Sequence, residues 1–217
     1  ANLAAVAIIR ARLLEERLNQ QKVQIQMETA AKIQSLFWPK PPDIGFGSHI
    51  WAVSLSAGFV GGDLYDMIPM PDGSWLIYVA DVSDKGLPAA MIMVALWSRI
   101  RSEALMHEKA GELLGALNTA MFDLLAEEGF FASIILGKYW PRTGQVELVL
   151  GGHHPAVRIY GNQCESVPEK RGPSLGVLSS AKFDEERLIL SEGAAILLFT
   201  DGITEALNER GELFGQK

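Results

Sequence analysis

Leu76-Ile77-Tyr78-Val79-Ala80-Asp81-Val82-Ser83-Asp84-Lys85-Gly86 is the stretch on which the fold turns. Its unbroken apolar run, rich in β-formers, predicts a central strand covered on both faces. That strand ends on Asp81. A carboxylate at the edge of a core needs a partner or a metal. The pattern recurs where Ala195-Ile196-Leu197-Leu198-Phe199-Thr200 runs into Asp201-Gly202, predicting a second buried strand that delivers an aspartate. Upstream, Val60-Gly61-Gly62-Asp63-Leu64-Tyr65-Asp66 brings a third acid behind paired glycines, which allow a close backbone approach. One such aspartate reads as a strand-end cap; three predict a carboxylate cluster. Like charges about 4 Å apart repel by about 1 kcal/mol in water and about 4 kcal/mol in a partly buried site, so the cluster must take up protons or a cation. Oxygen-only ligands favour hard ions such as Mg2+ or Mn2+.

The 217 residues are 48% hydrophobic and 21% charged, enough for one sizeable core with an appendage. A net charge of -7 argues against nucleic acid or an anionic membrane as the main partner. Cys164 is the only cysteine, so no intramolecular disulfide forms and a reducing cytoplasm is the expected compartment. Residues 3–9 are too short and too poorly flanked for a signal peptide. Residues 87–97 fall short of the roughly 20 that a membrane span requires.

Residues 1–37, rich in Ala, Leu, Glu, Gln, Lys and Arg and free of Gly and Pro, predict one long helix. Leu14, Leu18 and Ile25 approach heptad spacing while Gln21 and Glu28 interrupt it, which suits a connecting helix or a modest dimer contact. Pro39, Pro41 and Pro42 end the helix, dividing a linker over 1–38 from a globular domain over 39–217. His49, Trp51, Val53 and Leu55 alternate as a half-buried strand would. Pro71-Asp72-Gly73 marks a hairpin that places Asp63 and Asp81 on neighbouring antiparallel strands. Pro88 opens a helix to about residue 107, apolar all round over 89–97 and therefore covered on more than one side; a second helix spans about 110–128. Strands follow over 130–139, 146–150, 157–160, 182–190 and 195–200, with a short helix from Gly202 towards Asn208. His153 and His154 are adjacent, but neighbours on an extended chain point apart, so His153 reads as structural rather than metal-ligating.

Gly61-Gly62-Asp63-Leu64-Tyr65-Asp66, Asp81-Val82-Ser83-Asp84-Lys85-Gly86, Gly151-Gly152-His153, Pro173-Ser174-Leu175-Gly176 and Thr200-Asp201-Gly202-Ile203-Thr204-Glu205-Ala206 occur in order. Together they resemble the bacterial PP2C-type serine/threonine phosphatases of the sigma-factor-regulator and sporulation (SpoIIE-like) class, over roughly residues 28–215. The resemblance implies an α+β fold, an α-β-β-α sandwich of two antiparallel sheets holding two Mn2+ or Mg2+ ions at one edge. It assigns Asp63 and Asp81 to catalysis and the ions, Asp81 bridging, with the Val82 carbonyl and Asp201 as further ligands. It implies as substrate a phosphorylated anti-sigma-factor antagonist. The stretch Ala1-Asn2-Leu3-Ala4-Ala5-Val6-Ala7-Ile8 is similar to the exit helix of a GAF-type sensor domain, which would make the chain the effector piece of a larger sensor-phosphatase.

Two departures stand out. Family members commonly carry Gly where Asp84 stands, and the family continues past residues 213–215 to a strand ending in an Asp-Asp pair, whereas this sequence ends at Lys217. The expected activity is metal-assisted hydrolysis of phosphoserine or phosphothreonine, with a non-catalytic phosphoprotein-binding module as the alternative. A nucleotide-cyclase reading of Gly61-Gly62-Asp63 founders on Leu64, which stands where cyclases need an acid.

Overall fold

The computed structural model describes residues 2–56 and 58–215. The long helix forms as expected: α1 (Asn2–Gln34) runs into a single 3-10 turn at Ser35–Phe37 before the prolines. Leu14, Leu18 and Ile25 on it are all exposed. Its last two turns are engaged, with Met27, Ala30 and Ala31 half-buried and Gln34 buried.

Among the described residues, eight strands make two antiparallel sheets. Sheet A has the order β1 (Leu64–Pro69), β2 (Trp75–Val82), β3 (Ala132–Trp140), β4 (Gln145–Gly151) and β7 (Glu185–Ile189); sheet B has β6 (Gln163–Val167), β5 (Ala156–Tyr160) and β8 (Ala195–Leu197). On β2 alternate residues divide between two cores. Leu76, Tyr78, Ala80 and Val82 pack under the helices α2 (Leu87–Glu103) and α3 (Ala110–Glu127), against Met93, Leu96, Leu113 and Leu117. Val79, on the opposite face, joins Ile135, Leu148 and Leu150 against Ala156, Val167 and Ile196 of sheet B and Leu198 just past it. The order of layers is thus helices, sheet A, sheet B. Among the described residues the outer face of sheet B carries no helix, so three of the four expected layers are present.

Local departures from the sequence reading have identifiable causes. Residues 49–55 form no strand, and Trp51, Val53 and Leu55 are 91%, 67% and 88% exposed. Alternation yields a strand only beside an edge that accepts its hydrogen bonds, and among the described residues none lies there. Helix α2 ends at Glu103 rather than near 107, and Met91 is exposed, so the helix is not covered all round. The strand carrying Leu197 is not a buried one: β8 is three residues long, and Leu197 is exposed. The helix after it, α4 (Asp201–Thr204), stops early. Asn208 Oδ1 there accepts from the amides of Arg210 and Glu212, a local bonding pattern that competes with helix.

One polar knot fastens β1 to α2. Asp66, fully buried, accepts from Arg101 Nε at 2.7 Å and Nη2 at 2.8 Å, from its neighbour Met67 N–H at 2.8 Å and from Tyr78 Oη at 3.3 Å. Arg101 lies 4.8 Å over the Trp97 ring, and Phe37, just past α1, meets Trp97 edge-on at 4.8 Å.

Candidate metal centre

The β1–β2 register pairs Leu64 with Ala80. Carried one residue further, it sets Asp63 opposite Asp81; two further, Gly62 opposite Val82. The Val82 amide indeed donates to the Gly62 carbonyl at 3.4 Å. A Cβ on Gly62 would lie 2.5 Å from the Val82 carbonyl oxygen and 3.2 Å from its Cβ, so any side chain there drives the turn off β2. Gly61 has room for one, its nearest neighbour being Ser56 Oγ at 3.8 Å. Its backbone is gripped instead: Gln34 Nε2 donates to the Gly61 carbonyl at 2.7 Å, and the Gly61 amide donates to Gln34 Oε1 at 3.2 Å. Sequence reasoning missed Gln34 because a glutamine in a polar helix carries no signal of its own.

Asp81 lies on the face of β2 that looks towards sheet B, and Asp201 arrives from the chain that leaves β8. Burial pushes the Asp81 carboxyl up to about 7, helped by the negative charges of Asp63 and Asp201 and by a hydrogen bond with Asp63, while Lys85 opposes the shift. Asp81 thus lies against Asp63, with Asp201 near enough for its charge to be felt. Thr200 Oγ1 donates to Asp63 Oδ2 at 3.2 Å. Among the described residues no three His, Cys, Asp or Glu side chains are drawn tightly enough to enclose an ion by themselves. The donors are oxygens of the kind that hard divalent cations take, and a carboxylate pair that otherwise needs a proton fits such a cation.

His153 is 5% exposed and faces the His154 carbonyl through Nδ1 at 3.1 Å, which gives that nitrogen the ring proton. Burial lowers its pKa, keeping the ring neutral. The His154 ring stacks on Phe199, 6.2 Å between centroids. The two histidine rings meet edge-on, 6.1 Å between centroids, because the chain bends at His153 instead of running extended as expected.

Asp84 has φ of 72°, the left-handed region, which accounts for the family's glycine at this place. Its Oδ1 accepts from the Lys85 amide at 2.8 Å. Asp84→Gly should therefore be neutral within about 0.5 kcal/mol, whereas Asp84→Ala, which keeps the strain and loses the bond, should cost about 1 kcal/mol in urea denaturation.

The raised Asp81 pKa also sets a pH dependence. Since the folded value, about 7, exceeds the unfolded one, the metal-free fold is favoured at low pH and loses that stabilisation as pH rises to 7. A cation must displace the proton, so Mn2+ affinity should run the other way, strengthening about tenfold between pH 6 and pH 8. Isothermal titration at the two pH values reads this directly.

The family profile of Stage II sporulation protein E (SpoIIE) matches residues 71–217. The chain belongs to the SpoIIE family. Among curated relatives of this SpoIIE-family chain, Protein IcfG of Synechocystis is 26% identical over 89% of the chain and 35% of its own length. Phosphoserine phosphatase RsbU of Bacillus subtilis is 28% identical over 89% of the chain and 58% of its own length. The chain thus spans less than two thirds of either relative. Among solved structures, the SiaA-PP2C domain of Pseudomonas aeruginosa superposes with a TM-score of 0.72 at 20% identity, covering 91% of this chain and 80% of that one. The PP2C phosphatase domain of SpoIIE from Bacillus subtilis, with a fragment of its regulatory domain, gives 0.58 at 16%, covering 68% and 43%. These likenesses establish the PP2C fold of the chain.

Proposed function

We propose that the chain is the catalytic part of a metal-dependent protein serine/threonine phosphatase. The observation that carries the reading is the Asp63–Asp81 pair, which the β1–β2 register sets side by side and in which burial and the neighbouring charge raise the Asp81 carboxyl to about 7, in a chain of the SpoIIE family. Asp63 and Asp81 would hold two Mn2+ or Mg2+ ions, with the Val82 carbonyl and Asp201 as further ligands. When bound, the ions supply an acidified water and offset the charge of the phosphoryl group. The protein's own part is positional. Gly62 lets the Asp63 turn close on β2, Gln34 fixes that turn from α1, and Asp81 would give up its proton to meet a cation.

RsbU carries the name phosphoserine phosphatase, and the substrate we assign to this chain is likewise a phosphorylated protein, an anti-sigma-factor antagonist of a bacterial cytoplasm. We assign residues 1–38 to a signalling helix that links an upstream GAF-type sensor and pairs with a second copy. Support for that part is the exposure of Leu14, Leu18 and Ile25 on α1 and the grip of Gln34 on Gly61. Among the described residues no helix is long and apolar enough to cross a membrane.

The test is Mn2+-dependent phosphate release from a phosphoserine protein, measured on this chain and on its full-length parent. Release that requires Mn2+ supports the reading. Binding of the phosphoprotein without release by either form would replace it with the non-catalytic binding module.

A further inference from the structure

We propose that Thr200 is a positioning residue of the metal centre: reaching from beyond sheet B, its hydroxyl holds Asp63, just ahead of sheet A, in the orientation that meets a divalent cation. The proposal rests on the metal-dependent reading above.

Thr200 stands at the N-cap of α4, with extended backbone angles, φ of -88° and ψ of 166°. A threonine there ordinarily turns its side-chain oxygen to an amide of its own first turn. This one makes no such bond. Its hydroxyl donates instead to Asp63 Oδ2 at 3.2 Å, 137 residues away in sequence. The bond spans the gap between the sheets at the edge where Asp81 and Asp201 also lie.

Asp63 needs such a restraint. It follows two glycines and lies just outside β1, so the strand ladder does not fix it. A neutral hydroxyl is a donor to Asp63 whether or not a cation is bound. By donating to the ionised carboxylate, Thr200 occupies one lone pair and leaves the others for the cation. Partners of this kind, which orient a ligand without touching the metal, change metal affinity by roughly 10-fold to 100-fold when removed.

Thr200 is in turn fixed by its surroundings. The Glu205 amide donates to the Asp201 carbonyl at 2.7 Å, and the amides of Phe214 and Gly215 donate to the Ala206 and Thr204 carbonyls at 2.8 and 2.9 Å. These bonds hold the far end of α4, and at its start the Ile203 amide donates to the Thr200 carbonyl at 3.2 Å.

The experiment follows the Mn2+-induced rise in melting temperature of the parent chain, Thr200→Val and Thr200→Ser, with circular dichroism of each metal-free protein as the folding control. Thr200→Val, which keeps the shape and loses the hydroxyl, should need about 10-fold more Mn2+ to reach half its shift, and Thr200→Ser should stay within about 2-fold of the parent. Equal midpoints for Thr200→Val and the parent would overturn the role of Thr200 while leaving the metal site standing. A serine variant as weak as the valine one would overturn it too, since the hydroxyl would then not be the operative group. A parent chain that shows no Mn2+ effect would overturn the metal-dependent reading and this proposal together. Should Thr200→Val not fold, Thr200→Cys, close in size but a far weaker donor, replaces it and should show the same loss, with the parent's midpoint as the overturning result.

Discussion

Asp81→Asn is expected to reduce Mn2+-dependent phosphate release at least about 100-fold while leaving the metal-free protein as stable as the parent or more so. The two halves of this result come from one cause. The Asp81 carboxyl is already held at about 7 by burial and by the charges of Asp63 and Asp201. At neutral pH and without metal it is substantially protonated, and a neutral asparagine reproduces that form without the repulsion. With metal, an amide oxygen cannot supply the anionic ligand that the site needs. A loss of activity accompanied by a large loss of stability would instead point to misfolding. Activity above a tenth of the parent's in the full-length protein would sink the two-metal assignment.

Arg101→Ala should be among the most damaging single changes to the fold, costing about 3 kcal/mol in urea denaturation. The full penalty for orphaning a buried charge is about 3–5 kcal/mol. The lower end applies because the Arg101 side chain is itself 41% exposed, so water can reach part of the vacated space. Asp66, with no exposure of its own, would lose both guanidinium bonds and keep only Met67 N–H and the longer Tyr78 hydroxyl contact. Trp97 would lose a cation over its ring, about 0.5–1 kcal/mol more. Arg101→Lys keeps the charge but not the two-pronged bond, and should fall between parent and alanine variant. A cost below about 1 kcal/mol for Arg101→Ala would show that Asp66 finds another partner.

The main frame of this fold was legible because the strands that matter are long and their punctuation is strong. Residues 76–81 read as a strand, Pro71-Asp72-Gly73 read as its hairpin, and the resulting register is what sets Asp63 beside Asp81. What failed were segments whose state depends on a neighbour. Trp51, Val53 and Leu55 alternate as well as any strand, yet alternation cannot say whether an edge is available. The apolar run over 195–200 reads as buried, but burial of β8 needs a cover on the outside of sheet B, and pattern alone cannot show whether one exists.

The candidate site divides in the same way. Asp63, Asp81 and Asp201 were visible as acids at strand ends, and Gly62 as a close approach. Gln34 and Thr200 were not. Each acts through a hydrogen bond to a residue far along the chain, from an element where its type is unremarkable: glutamine in a helix, threonine at a helix start. Asp66 lies between these cases. It was quoted within the Gly-Gly-Asp motif, but its ion pair with Arg101 depends on α2 crossing β1, which residue spacing does not encode.

The claim that the three acids form a metal centre is met most directly by crystals of the chain soaked in Mn2+ and measured at the manganese absorption edge. Anomalous peaks about 2.0–2.2 Å from carboxylate oxygens of Asp63 and Asp81, with Asp201 turned towards them, are the predicted result. An Asp63–Asp81 pair still joined at hydrogen-bonding distance, with manganese absent or bound elsewhere on the surface, would contradict it.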